Sequence, residues 1–266
     1  MGPRVRPPAV AGRFYPADPA ELEAAVRLHL DDARSPTRAP PRALVAPHAG
    51  YAYSGPVAGS AWALVGPARG RVRRAVLLGP SHHVAFAGLA LPEWDALSTP
   101  LGEHPVDAEG AAALEAHPRV RRWDAPHRDE HCLEVQLPFL WATLGPVPVV
   151  PLVTGTADAH AVADGIESLW TPDTLVVVSS DLSHHLSYAR ARDADARTAR
   201  AVEELRAADV GPAQACGATA LRGLLTAARR RDMTATCVDL RNSGDTAGGI
   251  GRVVGYGAFG VWPLGA

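Results

Sequence analysis

The sequence predicts an α/β fold: a single domain spanning residues 1–266, with a mostly parallel central sheet flanked by helices. Three observations lead there. Short apolar runs alternate with helix-like stretches along the chain. The run Leu175-Val-Val-Val178 is apolar without alternation, which suits a strand buried on both faces. Three such runs end in a turn carrying histidine: Ala46-Pro-His-Ala-Gly50, Gly79-Pro-Ser-His-His83 and Ser179-Ser-Asp-Leu-Ser-His-His185. In open α/β sheets, ligands bind outside the carboxyl ends of the strands. Three histidine-bearing turns of this kind point to one site.

The elements follow in order. Residues 1–20 are proline-rich and read as an extended segment packed on the domain, where Gly12-Arg-Phe-Tyr-Pro16 tucks in an aromatic pair. Asp18 caps a helix, Pro19 takes its first position and Glu21 the capping-box place, and the helix runs to about Asp31. A loop of Pro, Arg and Ser leads to a core strand at 42–47, stopped by Pro47. With Ser54 as cap and Pro56 in the first turn, a helix covers 55–65. Strand 74–78 follows, then the turn 79–83. Residues 86–97 read as a short hairpin or edge strands, and 106–116 as a helix. A helix begins at Asp129, with Leu133, Leu137, Leu140, Trp141 and Leu144 as its buried stripe and a kink at Pro138. Strand 149–154 is peripheral because of Pro151. Then come helix 157–169, the central strand 174–180, helix 187–208 capped by Ser187, and helix 216–230. Strand 234–240, a glycine-rich loop at 242–251 and strand 252–262 close the chain, the last pair adding antiparallel edges.

Composition excludes several classes. The net charge of -2 gives no electrostatic case for nucleic acid or an anionic membrane. The cluster Arg229-Arg-Arg231 ends a predicted helix, where it complements the dipole. The N-terminus has no apolar core of a signal peptide, Arg6 stands where a myristoylation motif wants Ser or Thr, and no run approaches the ~18 apolar residues of a membrane span. Cys132, Cys216 and Cys237 are odd in number and widely spaced, so the expected setting is a reducing cytoplasm. There is no Walker loop, no Gly-x-Gly-x-x-Gly after a strand, no Gly-x-Ser-x-Gly elbow and no Cys-x-x-Cys pair. That argues against nucleotide hydrolysis, dinucleotide redox chemistry and the common serine-hydrolase route.

The histidines are the candidate chemistry. His48 and His82, at the ends of strands expected to be neighbours, can converge on one transition-metal ion. Cys216 is the attractive third ligand. At a helix N-terminus the dipole favours its thiolate, although a buried structural cysteine is an equal reading. Asp181 and His184 lie three residues apart. On a helical turn they face one way, so the carboxylate would orient an acid–base imidazole. Glu130, His131 and Glu134 either support a ligand histidine from behind or form the solvated face of a helix. His83 and His185 stand second in their pairs and should diverge; both are held as reserve candidates, His83 as a candidate substrate contact. Ser243 and Asp245 border the pocket or sit in a plain hairpin loop. His29, His104, His117, His127 and His160 have no supporting context and read as surface.

Together these blocks resemble a known family. Pro8-Ala-Val-Ala-Gly-Arg-Phe-Tyr-Pro16, Ala46-Pro-His-Ala-Gly-Tyr51, Leu78-Gly-Pro-Ser-His-His83, Glu130-His-Cys-Leu-Glu-Val-Gln-Leu-Pro138, Ser179-Ser-Asp-Leu-Ser-His184 and Cys216-Gly look like the Memo family, whose microbial branch is called AmmeMemoRadiSam system protein B. The resemblance runs from about residue 4 to 262. It implies a fold like the class III extradiol dioxygenases, with a non-haem metal site. It implies His48, His82 and Cys216 as metal ligands and Asp181 with His184 as the acid–base pair. A cysteine replaces the carboxylate of the dioxygenase triad. Thiolate is softer and admits copper as well as iron(II). The family's naming also implies radical-SAM and AMMECR-type partner proteins.

The expected function is therefore a cytoplasmic, iron(II)- or copper-dependent oxidoreductase of dioxygenase type, acting on a small molecule. The alternative is a non-catalytic metal- or partner-binding protein working with a radical-SAM system. A metal-assisted hydrolase ranks last, because Cys216 is a soft ligand.

Overall fold

Successive residues of the central strands point into two separate cores. The computed structural model describes residues 2–34 and 39–265. Part of the loop expected before the first core strand, residues 35–38, lies outside them. The first half of the chain holds β1 (Val5–Arg6), α1 (Pro19–Asp31), β2 (Ala43–Ala46), α2 (Tyr51–Ala63), β3 (Arg74–Pro80), β4 (Leu89–Leu91), β5 (Ala96–Thr99), β6 (Gly102–Pro105), α3 (Ala108–Glu115), β7 (Val120–Arg122) and α4 (Ala125–Arg128). The second holds α5 (Leu137–Leu144), β8 (Val149–Thr154), α6 (Ala159–Leu169), β9 (Thr174–Ser179), β10 (His184–Leu186), α7 (Tyr188–Glu203), α8 (Ala218–Arg230), β11 (Met233–Asn242) and β12 (Val253–Pro263).

Among the described residues the main sheet has the order β10-β12-β2-β9-β3-β8-β4-β7, with β11 on β12. β2, β9, β3 and β8 run parallel in adjacent pairs. β12 is antiparallel to β2 and β11. The fold is the α/β fold expected, with a large, mostly parallel sheet flanked by helices. The C-terminal pair does add antiparallel strands, but β12 is interior, with β2 and β11 both paired to it.

Period-2 geometry explains why the apolar runs are continuous. Leu44, Leu77 and Val177 face a core shared with α1, α2 and α5. Val45, Val76, Val176 and Val178 face the other, shared with α6 and α8. Each such buried side chain contributes about 1.5–3 kcal/mol relative to exposure.

Several expected elements are corrected. α2 begins at Tyr51, before Ser54, and Gly50 takes the cap place without a side-chain bond. The Tyr51 N–H, orphaned at the helix start, donates to the Phe14 carbonyl at 2.7 Å. That partner comes from the N-terminal segment, which no local pattern reveals. Ser54 Oγ donates back to the Ala49 carbonyl. The helix expected from Asp129 is interrupted: after α4 the chain is non-helical until a 3-10 turn at Glu134–Gln136 leads into α5. Pro138 falls in the first turn of α5, where a missing N–H breaks no helical bond, so it makes no interior kink. The stretch 86–97 spans two sheets, and the antiparallel hairpin is β5–β6, joined by β1.

Strand β8 is paired on both sides, yet it carries Pro151. The Pro148 carbonyl accepts from Ala75 of β3, and the Val149 carbonyl accepts from Asp107 on the outer side. Alternation places Pro151 outward, and β4 pairs there only with Val153 and Thr154. Ser187 stands at the start of α7 without a side-chain cap bond, and α7 ends at Glu203, before the positive φ of Leu205. No helix among the described residues is long and apolar enough to cross a membrane.

Candidate metal centre

The carboxyl ends of β2, β9 and β3 lie side by side. His48 follows β2 and His82 follows β3, but their strands are not neighbours, because β9 runs between them. β9 instead delivers Ser179, Ser180 and Asp181 between the two histidines. The imidazoles still converge. His48, His82 and His131 offer ligand nitrogens that all lie within 4.8 Å of one another. His131 stacks on His82 at 4.6 Å between centroids and meets His48 edge-on at 5.4 Å. A second group of the same closeness is His82, Glu130 and Cys132.

His48 is almost fully buried. Its backbone N–H donates to Asp181 Oδ1 at 2.7 Å, and its Nδ1 lies 3.0 Å from Ser179 Oγ. Burial first, then the neighbouring His82, pushes its pKa down to about 3. The ring is therefore neutral at physiological pH, the form that binds metals.

Glu130 supports His82 from behind. One carboxylate oxygen is 2.8 Å from His82 Nδ1, and the other accepts from the His82 backbone N–H at 2.6 Å. A carboxylate on Nδ1 leaves Nε2 free to bind. Burial pushes the His82 pKa down, but the Glu130 hydrogen bond and charge outweigh it, and the net shift is upward. Glu130 itself is held well below the usual carboxylate range, its burial overcome by His82 and by the Cys132 backbone N–H. Burial, with His48 close by, lowers His131 to about 4. Cys132 is fully buried, and its Sγ donates to the Pro80 carbonyl.

Cys216 Sγ lies 3.2 Å from His48 Nε2 and accepts from the Asp181 N–H at 3.3 Å. The thiol is not lowered on balance as expected, although the Asp181 and Gly217 backbone N–H groups act in that direction. α8 starts at Ala218, with Gly217 at the cap. Burial, followed by the Asp181 charge, pushes the thiol up to about 12. Gly217 is required there, because a Cβ would come within 2.7 Å of Ser180 Cβ.

Asp181 does not orient His184. No helical turn links β9 to β10, so the geometry that would align the two residues is absent, and His184 acts on Asp181 only through its charge. Asp181 is buried, with its pKa raised by burial, and holds the His48 backbone N–H. His184 Nδ1 is instead fixed by the Leu182 carbonyl at 2.8 Å, and its exposed ring still bears electrostatically on His48.

Other candidates fall away from the imidazoles. Glu134 accepts from Arg6 Nη1 at 2.7 Å, from the backbone N–H of Ala9 and Val10, and from Tyr15 Oη. It is the buried anchor of the N-terminal segment. That segment reaches the centre through Phe14, whose ring lies 4.7 Å from His131. His83 is exposed. Ser243 and Asp245 form a 3-10 turn with an Asn242 capping box. Asp245, with Arg192, Asp195 and Asn242, lines a separate pocket of about 170 Å³. Four of the histidines read as surface are not exposed, His117 being half-buried and the other three packed into the fold. His104 and His127 are buried against main-chain carbonyls, and His29 packs between Tyr51 and Phe139.

The sequence analysis assigns Ser179 and Gln136 no role of their own. Gln136 carried a signal all the same: an amide flanked by Val135 and Leu137 in an apolar stretch must find partners when buried.

The profile of the family described as Memo-like protein matches residues 6–260. The chain belongs to the Memo-like family. A MEMO1 family protein of Aquifex aeolicus is 33% identical over 95% of this chain and 97% of its own length. One of Aeropyrum pernix is 33% identical over 97% of this chain and 100% of its own. A MEMO1 family protein of Methanopyrus kandleri is 32% identical over 96% and 98%. The fold is also similar to the crystal structure of an uncharacterized protein of Escherichia coli K12, with TM-score 0.51 and 13% identity over 80% of this chain and 98% of that one. At that identity the likeness concerns the fold alone.

Proposed function

We propose that this Memo-like protein is a non-haem metal-dependent oxidoreductase of dioxygenase type acting on a small organic molecule. The observation that carries the reading is the convergence within 4.8 Å of His48 and His82, from the carboxyl ends of β2 and β3, with His131 from the loop after α4. The donor set fits iron(II) or copper: imidazole nitrogens with Nδ1 engaged from behind, and a thiol beside them. His48 and His82 would hold the ion, with His131 or Cys216 as third ligand; Cys216 touches His48 but lies outside both groups of ligand atoms within 4.8 Å of one another. A metal held there would supply electron exchange with dioxygen.

This chain's own residues do the rest. Glu130 and Asp181 orient the two ligand turns through side-chain-to-backbone bonds. His184, with Nδ1 on Leu182 and its ring exposed, presents Nε2 to accept or return a substrate proton. Phe14 walls the centre beside His131 and offers an aromatic face to the substrate.

Cys216 favours a second reading. A soft thiolate suits copper(I), so the same residues would serve a non-catalytic metal carrier working beside radical-SAM and AMMECR-type proteins. Metal content after anaerobic purification, measured on wild type, His48→Ala and Cys216→Ala, tests both. Stoichiometric iron lost in the variants, with oxygen uptake on catechol-like or thiol substrates, supports the oxidoreductase. Bound copper without turnover supports the carrier. Full metal occupancy in His48→Ala would sink both.

A further inference from the structure

We infer that Ser179, locked by Gln136 and Trp62, is a positioning residue that makes His48 carry its proton on Nδ1 and present a bare Nε2. The inference rests on the reading of His48 as a ligand, and it is carried by a chain of donors and acceptors that has one consistent solution.

The chain starts far from the centre. Trp62 Nε1 can only donate, and it does so to Gln136 Oε1 at 2.8 Å. The other end of that amide must then be the donor. Gln136 Nε2 gives one hydrogen to the Pro47 carbonyl at 2.9 Å and one to Ser179 Oγ at 2.9 Å. A carbonyl can only accept, so Pro47 confirms the amide orientation from a second side. The Cys132 carbonyl, 2.6 Å from Ser179 Oγ, can also only accept. The single hydroxyl hydrogen of Ser179 therefore goes to Cys132.

What remains on Ser179 Oγ is a lone pair, and His48 Nδ1 lies 3.0 Å from it. Nδ1 must donate. The opposite tautomer would set two lone pairs against each other. Turning the hydroxyl toward His48 would instead strip the Cys132 carbonyl of its hydrogen. Trp62, Gln136, Ser179 and His48 are all at most 2% exposed, so water does not stand in. On the far side, the bare Nε2 faces Cys216 Sγ at 3.2 Å, where a neutral thiol can donate to it. The two ends of the ring agree.

The test uses metal-free protein labelled with ¹⁵N-histidine. Long-range proton–nitrogen correlation shows which ring nitrogen of His48 is protonated, its signals being assigned by their loss in His48→Ala. Wild type should show Nδ1–H alone. Ser179→Ala should show a mixture with Nε2–H, and its affinity for cobalt(II) should fall about tenfold, as for other groups behind a metal-bound histidine. Ser179→Thr, which keeps the hydroxyl, should restore both. Nε2–H in wild type, or an unchanged tautomer in Ser179→Ala, would overturn the inference. The wild-type spectrum needs no variant to fold. Because it is recorded without metal, failure to bind cobalt(II) would count against the metal centre and leave the tautomer result standing.

Discussion

Glu130 grips His82 at two points, the imidazole Nδ1 at 2.8 Å and the backbone nitrogen at 2.6 Å, one carboxylate oxygen to each. Both contacts need an acceptor. Glu130→Gln keeps one acceptor and turns an NH₂ on the other donor, so the ring or the turn must move. We expect cobalt(II) or iron(II) affinity to fall about 10–100-fold, as for other residues behind a metal-bound histidine. Calorimetric titration checks it, and unchanged affinity would remove Glu130 from the centre.

Arg6 and Glu134 form a buried ion pair at 2.7 Å, with Arg6 also donating to the carbonyls of His127 and Glu130. Removing one partner strands a charge in the core. Arg6→Met should cost about 3–5 kcal/mol, the usual size for a broken buried pair. A lowered urea midpoint would show it. The effect should also loosen residues 9–15, where the Ala9 and Val10 N–H groups and the Tyr15 hydroxyl share that carboxylate.

The strands of the sheet and the histidine turns were legible because they depend on local properties: β-branched runs, prolines that stop strands, and glycines in tight turns. His48 and His82 could be picked out for that reason. Long-range partners could not. The start of α2 is set by the Phe14 carbonyl, and Glu134 faces Arg6 across the sequence. Asp181 and His184 are not aligned as their spacing suggests, because that spacing matters only on a helical turn and none links β9 to β10. His104 and His127 read as surface because an isolated histidine shows nothing in sequence of the carbonyls that receive it.

His127 should make the protein acid-sensitive. Burial first, opposed by the Ala90 carbonyl, lowers its pKa to about 4 in the fold. Unfolded, it titrates near the usual ~6.5. Between those values the unfolded chain takes up a proton that the native one refuses. The stabilising contribution is full above the unfolded pKa and is lost as pH falls toward the folded one. From about pH 7 to pH 5 this single ring removes roughly 2 kcal/mol. Urea unfolding at both values, on wild type and His127→Gln, reads it out. A variant as acid-sensitive as wild type would assign the loss to other groups.

α1 and α2 cross at Gly55 and Gly59. A Cβ on Gly59 would lie 2.2 Å from the His29 carbonyl oxygen, which is backbone and cannot swing aside. Gly59→Ala must push the helices apart, although alanine is the better helix former by about 1 kcal/mol. The clash should win, with a net loss in the ~1–3 kcal/mol range of overpacked cores. Gly66→Ala, where nothing lies within 4 Å, is the matched control. Thermal unfolding should show a lower Tm for the first and little change for the second.

Cys216 decides between two ligand sets. Its thiol, pushed up to about 12 by burial and Asp181, is protonated at neutral pH. If it ligates, the metal must displace that proton; if His131 takes the place, the thiol keeps it. Cobalt(II) titration in buffers of different ionisation enthalpy counts the protons released. Wild type should release about one more than Cys216→Ala, and should bind more tightly than that variant. An equal count in the two proteins, together with lost affinity in His131→Gln, would make the centre a three-imidazole site. The soft-ligand argument for copper(I) would then fall with the thiol, and iron(II) would be left as the better match to the donors present.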